Sequence, residues 1–301
     1  MSIYVEILIR GEMDELWQKT QDPKLHERWD LRFSQIDYLP REPGEAQKFL
    51  YSTRIGAGFR ICGEGESTGK HDDWSGQRTS ALKFWSKDPK SLIEVGSGYW
   101  QYSPNGRGIR FLTSYDYRAR FGPIGKLIDR LVFRRLIGWA TAWSFDRLRL
   151  WIEQGITPEA SRDRTLIYAL SRLSLAFIWF YHGAVPKLLY HSPDELKMLS
   201  DAGVPNAHLL NSVSLFGWME VGFALTLIVA WRARWPLWWT IAGMFGATLA
   251  VSLNSPAYLT GAFNPLTLNL AVAVLAATGL LTSGNLPTAK NCHRSPPGTK
   301  R

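Results

Sequence analysis

Several groups of residues have the side chains needed for chemistry. His71-Asp72-Asp73 and His26-Glu27 each set an imidazole beside carboxylates, as a metal site or a proton relay would require. Glu64 and Glu66 share one face of any strand that carries them. His182 and Glu220 are ionisable groups inside long apolar runs, where charge is costly and marks a contact that matters. None of these groups completes a catalytic pattern. There is no nucleophile motif, no phosphate loop and no carboxylate pair on an apolar face. His71-Asp72-Asp73 reads as a solvated turn and His26-Glu27 as a solvated helix surface, so no metal site is expected. Cys62 and Cys292 stand far apart without CxxC spacing, which gives two free thiols rather than a disulfide or a zinc site.

The distribution of charge divides the chain. Of 61 Asp, Glu, Lys and Arg residues, 13 follow Thr165, and none lies between Pro236 and Ala289. A mean hydropathy of −0.13 therefore averages two unlike halves. A soluble domain needs a solvated face, which the second half cannot supply. The net charge of +9 includes no basic run interleaved with stacking aromatics, so nucleic acid is not an expected partner. The first residues carry neither a basic nor an apolar signal region, so the first domain is expected to stay cytoplasmic.

Residues 1–155 read as a soluble α+β domain. Ile3, Val5, Ile7 and Ile9 alternate as a half-buried strand, Glu12–Thr20 reads as a helix, and Asp22-Pro23 caps a second helix running to Trp29. Strands follow at Arg32–Leu39, Gln47–Ile55, Ala57–Glu66, Gln77–Trp85, Leu92–Tyr102 and Gly108–Arg118, separated by turn signals. A long helix from Ile124 to Gln154 closes the domain, and Gly155 ends it. Strand parity gives an apolar face of Phe49, Tyr51, Phe59, Ile61, Phe84, Tyr99, Phe111 and Tyr115, the candidate lining of a ligand pocket.

After a linker at 156–165, residues 166–284 read as an all-α bundle of four transmembrane helices: Leu166–Tyr190, Asn211–Trp231, Pro236–Leu253 and Pro265–Thr282. Lys and Arg gather before the first span, between the second and third, and after the fourth, which puts both termini in the cytoplasm. His182 and Glu220 fall at similar depths, roughly 12 and 13 Å from the outer ends at about 1.5 Å per residue. They are expected to face one another in a polar cluster with Lys187, Asn254, Asn264 and Asn269, while Arg172 snorkels to the cytoplasmic interface. Residues 285–301, Pro-rich and basic, read as a disordered tail.

The order of elements in 1–155 resembles the SRPBCC superfamily of START and polyketide-cyclase-like domains. That resemblance implies a helix-grip fold, a curved antiparallel sheet over a long C-terminal helix, with a cavity that often holds a hydrophobic ligand. Tyr181-His182-Gly183-Ala184-Val185-Pro186-Lys187, Gly217-Trp218-Met219-Glu220, Asn254-Ser255-Pro256 and Phe263-Asn264-Pro265 resemble the DoxX-like family of small four-helix membrane proteins. This implies membrane location and, in some relatives, quinone-linked oxidation or thiol redox defence. The expected function is a protein anchored in the cell's inner (plasma) membrane, whose cytoplasmic pocket binds a hydrophobic small molecule or lipid. The alternatives are an oxidoreductase subunit, whose cofactor would be a quinone, and a module recruiting a redox partner protein.

Overall fold

The computed structural model describes residues 2–296 and 298, apart from 57 and 75, so the expected strand start at Ala57 lies outside the described residues. The chain forms two compact units, Met1–Ser161 with Pro287–Arg301, and Arg162–Leu286.

The first unit is a seven-stranded antiparallel sheet: β1 (Ile3–Ile9), β2 (Gln35–Tyr38), β3 (Lys48–Ile55), β4 (Phe59–Asp72), β5 (Arg78–Trp85), β6 (Ile93–Asn105) and β7 (Gly108–Ala119). The spatial order is β1-β7-β6-β5-β4-β3-β2, so one long meander is closed by the return of β7 to β1. Between β1 and β2 lie α1 (Met13–Gln21) and α2 (Pro23–Trp29). Asp22 caps α2 as its sequence implies, accepting from the backbone N–H of Lys24 and Leu25, with Pro23 at the first helical position. After β7, α3 (Gly122–Ile128) runs through a π-helical turn, Asp129–Phe133, into α4 (Arg134–Gln154), which ends at Gly155 with φ of 66°. The inner faces of β1 and β7 pack on α4, where Phe145 stacks on Phe111 at 4.4 Å and Phe111 on Tyr102 at 4.9 Å. This is the helix-grip arrangement.

Three expectations need correction here. The linker at 156–165 is helical from Pro158, where α5 (Pro158–His182) begins. His71 and Asp72 lie in β4, paired with Thr79 and Arg78, rather than in a turn. The tail is expected to be disordered from 285, yet residues 287–294 are seated on the first unit. Residues of β1 and the tail meet in a bridge between Glu6 and His293, and Ala289 and Cys292 enter the core. Asp146 accepts from the Thr288 backbone at 2.7 Å and from Asn291 Nδ2 at 3.0 Å. A buried carboxylate needs such donors, and they overrule a composition that by itself suggests disorder.

The second unit is helical. A π-helical stretch, Gly183–Leu189, continues α5, and α6 (Pro193–Asp201), α7 (Leu209–Val229), α8 (Trp235–Asn254) and α9 (Pro265–Thr282) follow. Asn206–Val229, Trp235–Asn254 and Pro265–Thr282 are long and apolar enough to cross a membrane. Large side chains such as Leu225, Phe245, Leu249 and Val274 stay exposed along them, the pattern of helices solvated by lipid. Arg172 reaches the α7–α8 connection from within the protein. It is fully buried and donates to the carbonyls of Leu227 (3.1 Å), Ala230 (2.9 Å) and Ala233 (2.8 Å), and to the Tyr168 hydroxyl at 2.7 Å. The C-terminus of α7 exposes carbonyls and a partial negative charge, and one guanidinium satisfies both.

Candidate functional site

Glycines carve the space inside the first unit. On the inner face of the sheet, Gly63 stands opposite Tyr51, Gly65 opposite Phe49, Gly96 opposite Phe84 and Gly98 opposite Tyr115. A Cβ would fall 2.3 Å from the Tyr51 ring at Gly63, 2.2 Å from the Phe49 ring at Gly65 and 2.4 Å from the Phe84 ring at Gly96. Each ring therefore lies over a glycine, against the sheet, where any side chain would push it inward. A cavity of about 620 Å³ remains between these rings and α2 and α4, large enough for a drug-sized ligand.

Of the pocket residues expected from parity, Phe49, Tyr51, Phe84 and Tyr115 line this cavity. Tyr99 borders it but pairs with Ser114, on the outer face, and is 41% exposed; Trp100 takes the inward position. Ile61 shares the inner face opposite Thr53 without reaching the cavity, and Phe59, at the strand's open end, is 60% exposed. Phe111 belongs to the core beside Phe145 and is not part of the lining.

Behind the cavity wall lies a buried ion pair that the sequence reading missed. Asp30, just past α2, is fully buried and accepts from Arg32: Nη2 at 2.6 Å, Nε at 2.9 Å and the backbone N–H at 3.0 Å. His26 Nε2 lies 3.0 Å from Asp30 Oδ2, the oxygen that also accepts from Arg32 Nη2, so His26 is no solvated helix residue. Its ring stacks on Trp29 at 5.0 Å and meets Trp100 edge-on at 4.9 Å, and both His26 and Arg32 line the cavity. Burial pushes the imidazole below its ordinary value, against the pull of Asp30, so it is neutral at physiological pH. Burial alone would raise the Asp30 pKa, but the Arg32 charge and the bonds from His26 and Arg32 outweigh it and hold the carboxyl well below the usual range.

Two further polar groups face this space. Burial pushes the Tyr51 hydroxyl up to about 12, so it remains a donor at neutral pH. No hydrogen-bond partner is found for it among the described residues. At the α1 end, Ser80 donates to Gln21 at 3.1 Å, and Gln21 to the Tyr102 hydroxyl, also at 3.1 Å. The result is an aromatic chamber with a few fixed polar groups, able to bind and orient an apolar molecule. Among the described residues no cluster of three potential metal ligands occurs.

In the second unit the expected polar cluster separates. Lys187 Nζ lies 3.2 Å from Glu220 Oε2 and 3.1 Å from Glu195 Oε1, so Lys187, not His182, meets Glu220. His182 is exposed, with its ring against that of Tyr181. Asn254 donates to the Ala250 carbonyl, Asn264 caps α9, and Asn269 donates to Thr248 at 3.0 Å, joining α8 to α9. The run from Tyr181 to Lys187 is in fact part of a helix contact. A Cβ on Gly183 would lie 2.6 Å from the Gly217 carbonyl and 3.0 Å from Glu220 Cβ, so glycine lets the two helices approach until Lys187 and Glu220 meet.

These features define a membrane protein with a helix-grip domain at its N-terminus. Residues 176–277 match the DoxX-like family. The uncharacterized membrane protein YndG of Bacillus subtilis (strain 168) is 43% identical over 234 residues, 77% of this chain and 79% of that relative. That alignment is longer than either unit, so the similarity reaches both. The chain belongs to one family with that protein, and its residues 176–277 form a DoxX-like domain. Among solved structures, a STAR-related lipid transfer protein from Xanthomonas axonopodis is similar over 51% of this chain and 86% of its own, with 15% identity and a TM-score of 0.40. TTHA0849 from Thermus thermophilus is similar over 51% of this chain and all of its own, with 17% identity and a TM-score of 0.38.

Proposed function

We propose that the first unit binds a hydrophobic small molecule or lipid and that the second unit anchors it in the cell's inner membrane. The observation that carries this reading is the cavity of about 620 Å³, with aromatic walls seated over glycines and Arg32 fixed at its side by Asp30. An apolar body would fill the aromatic chamber, and an oxygen on it would accept from Tyr51 or the Arg32 guanidinium. The bundle is read as the anchor. The alternative of a quinone-handling centre rests on His182 and Glu220, and Glu220 is met by Lys187 instead. In this reading α5 with its π-helical end makes a fourth crossing, and the Arg residues of α4 and the first turns of α5, those between α7 and α8, and the Lys and Arg after α9 hold both termini in the cytoplasm.

A photoactivatable diazirine fatty acid, added to membranes containing the full chain, tests the pocket. Crosslinks should map to peptides carrying Tyr51, Phe84 and Trp100. Crosslinks confined to α7, α8 and α9 would contradict a pocket function. Reporter fusions at Arg164, Arg234 and Ser295 should read cytoplasmic and those at Ala202 and Gly261 external; a cytoplasmic signal at Ala202 would overturn the four-span topology.

A further inference from the structure

The start of the long closing helix carries apolar side chains on the side away from the core. Ile124, Leu127, Leu131, Val132, Leu136 and Trp139 are 70, 57, 53, 60, 55 and 43% exposed. In an unbroken α-helix Leu136 would stand about 120° around from Ile124, at roughly 100° per residue. The π-helical turn Asp129–Phe133 absorbs about one extra residue and turns the downstream part back by that step. Leu136 and Trp139 thereby join Ile124, Leu127 and Leu131 in one stripe. The same step leaves Asp129 and Thr141 buried on the inner side, where Tyr117 and Tyr115 hydrogen-bond to them. The π-turn therefore serves two faces, one packed and one open.

Beside the stripe lies a cleft bordered by Arg130, Arg134, Arg135 and Arg294, with Asp129 the acidic residue among its lining. Arg134 is engaged with Asp129 and Asp116, while Arg130, Arg135 and Arg294 are exposed. Arg294 is brought here by the ordered tail and donates to the Arg135 carbonyl at 3.4 Å. An apolar helical stripe edged by arginines has the chemistry of a helix lying in the interface of an acidic bilayer.

We propose that α3, the π-turn and the first half of α4 form a membrane-docking face. Ile124, Leu127, Leu131, Val132 and Leu136 enter the acyl-chain boundary, and Arg130, Arg135 and Arg294 meet lipid phosphates. The bilayer is the occupant because the chain already belongs to one through its apolar helices, and because the rim is cationic. The face lies outside the aromatic cavity, so the proposal does not depend on what that cavity binds.

The test is a nitroxide on Leu131→Cys in a Cys62→Ser background of the full chain. Cys292 remains unlabelled because it is buried and its thiol is pushed up to about 12. In nanodiscs of phosphatidylcholine with phosphatidylglycerol, the label should be open to dissolved oxygen and shielded from a water-soluble nickel chelate. That shielding should weaken when phosphatidylglycerol is omitted. Free access by the nickel chelate in the mixed lipid would overturn the proposal, since the face would then be in water. Exclusion of both reagents would overturn it as well, because protein would then cover the stripe. Shielding indifferent to phosphatidylglycerol would remove the role given to the arginines.

Discussion

Asp30 grips Arg32 through both carboxylate oxygens, with Nη2 2.6 Å from Oδ2 and Nε 2.9 Å from Oδ1, and turns a buried charge into part of a cavity wall. Removing one member of a buried pair strands the other. Asp30→Ala should cost about 3–5 kcal/mol in the first unit. Replacing Asp30 and Arg32 together with apolar residues should cost less than the sum of the single changes, as read by thermal unfolding in mild detergent. Additive losses would mean that the pair does not act as a unit.

The same group sets the response to acid. Unfolded Asp30 would take up a proton near pH 4 and the folded carboxyl only at lower pH, so its stabilisation is present above about pH 4 and lost as pH falls further. His26 is held neutral in the fold, so unfolding gains a proton, and stability begins to fall as pH drops below about 6.5. The unfolding temperature should thus decline in two stages on the acid side. His26→Gln should flatten the upper stage, which begins below about pH 6.5, and an unchanged profile would contradict the lowered pKa of His26.

Filling a glycine should empty the cavity of its function before the fold is lost. Gly65→Ala places a Cβ where the Phe49 ring lies, and Gly63→Ala does the same to Tyr51. Each ring must swing inward, at a cost of about 1–3 kcal/mol for the overpacking. Ligand retention should fall more in the double variant than in either single one, with the full chain still folded by circular dichroism. Undiminished retention would show that the ligand sits elsewhere.

Alternation and turn chemistry made the succession of strands along the chain readable, because Gly, Pro, Asp and Asn interrupt the runs of β-branched and aromatic residues. Parity failed at β6, where Tyr99, Trp100 and Tyr102 make both faces aromatic. Gly96 and Gly98 mark the inner face there, and a glycine opposite a large ring is the signal that identifies it. His26 was unreadable as a pocket residue because no local pattern says that α2 covers the cavity. Cys292 did carry a hint, since free cysteine is among the residues most often buried, yet the surrounding composition suggested a solvated tail. In the bundle, counting depth assumed a regular helix. The π-helical stretch with Pro186 and the long Lys187 side chain together gave Glu220 a different partner.

Arg172 should be irreplaceable by its nearest relative. An ammonium cannot meet three carbonyls spread over the end of α7 in the way a planar guanidinium does. Arg172→Lys should lower the unfolding temperature of the detergent-solubilised chain nearly as much as Arg172→Met, each orphaned carbonyl contributing about 1–3 kcal/mol. Full rescue by lysine would mean that charge alone matters there.

The aromatic cavity is tested most directly by native mass spectrometry of the full chain, released from mild detergent without added ligand. A retained small molecule should appear as a discrete mass increment on the wild-type chain. It should be lost from the Gly63→Ala/Gly65→Ala variant, whose rings close the chamber, and kept by Lys187→Met/Glu220→Gln, which leaves the cavity untouched. An increment that survives cavity filling and disappears with the Lys187–Glu220 pair would place the ligand in the bundle and contradict a binding role for the N-terminal domain.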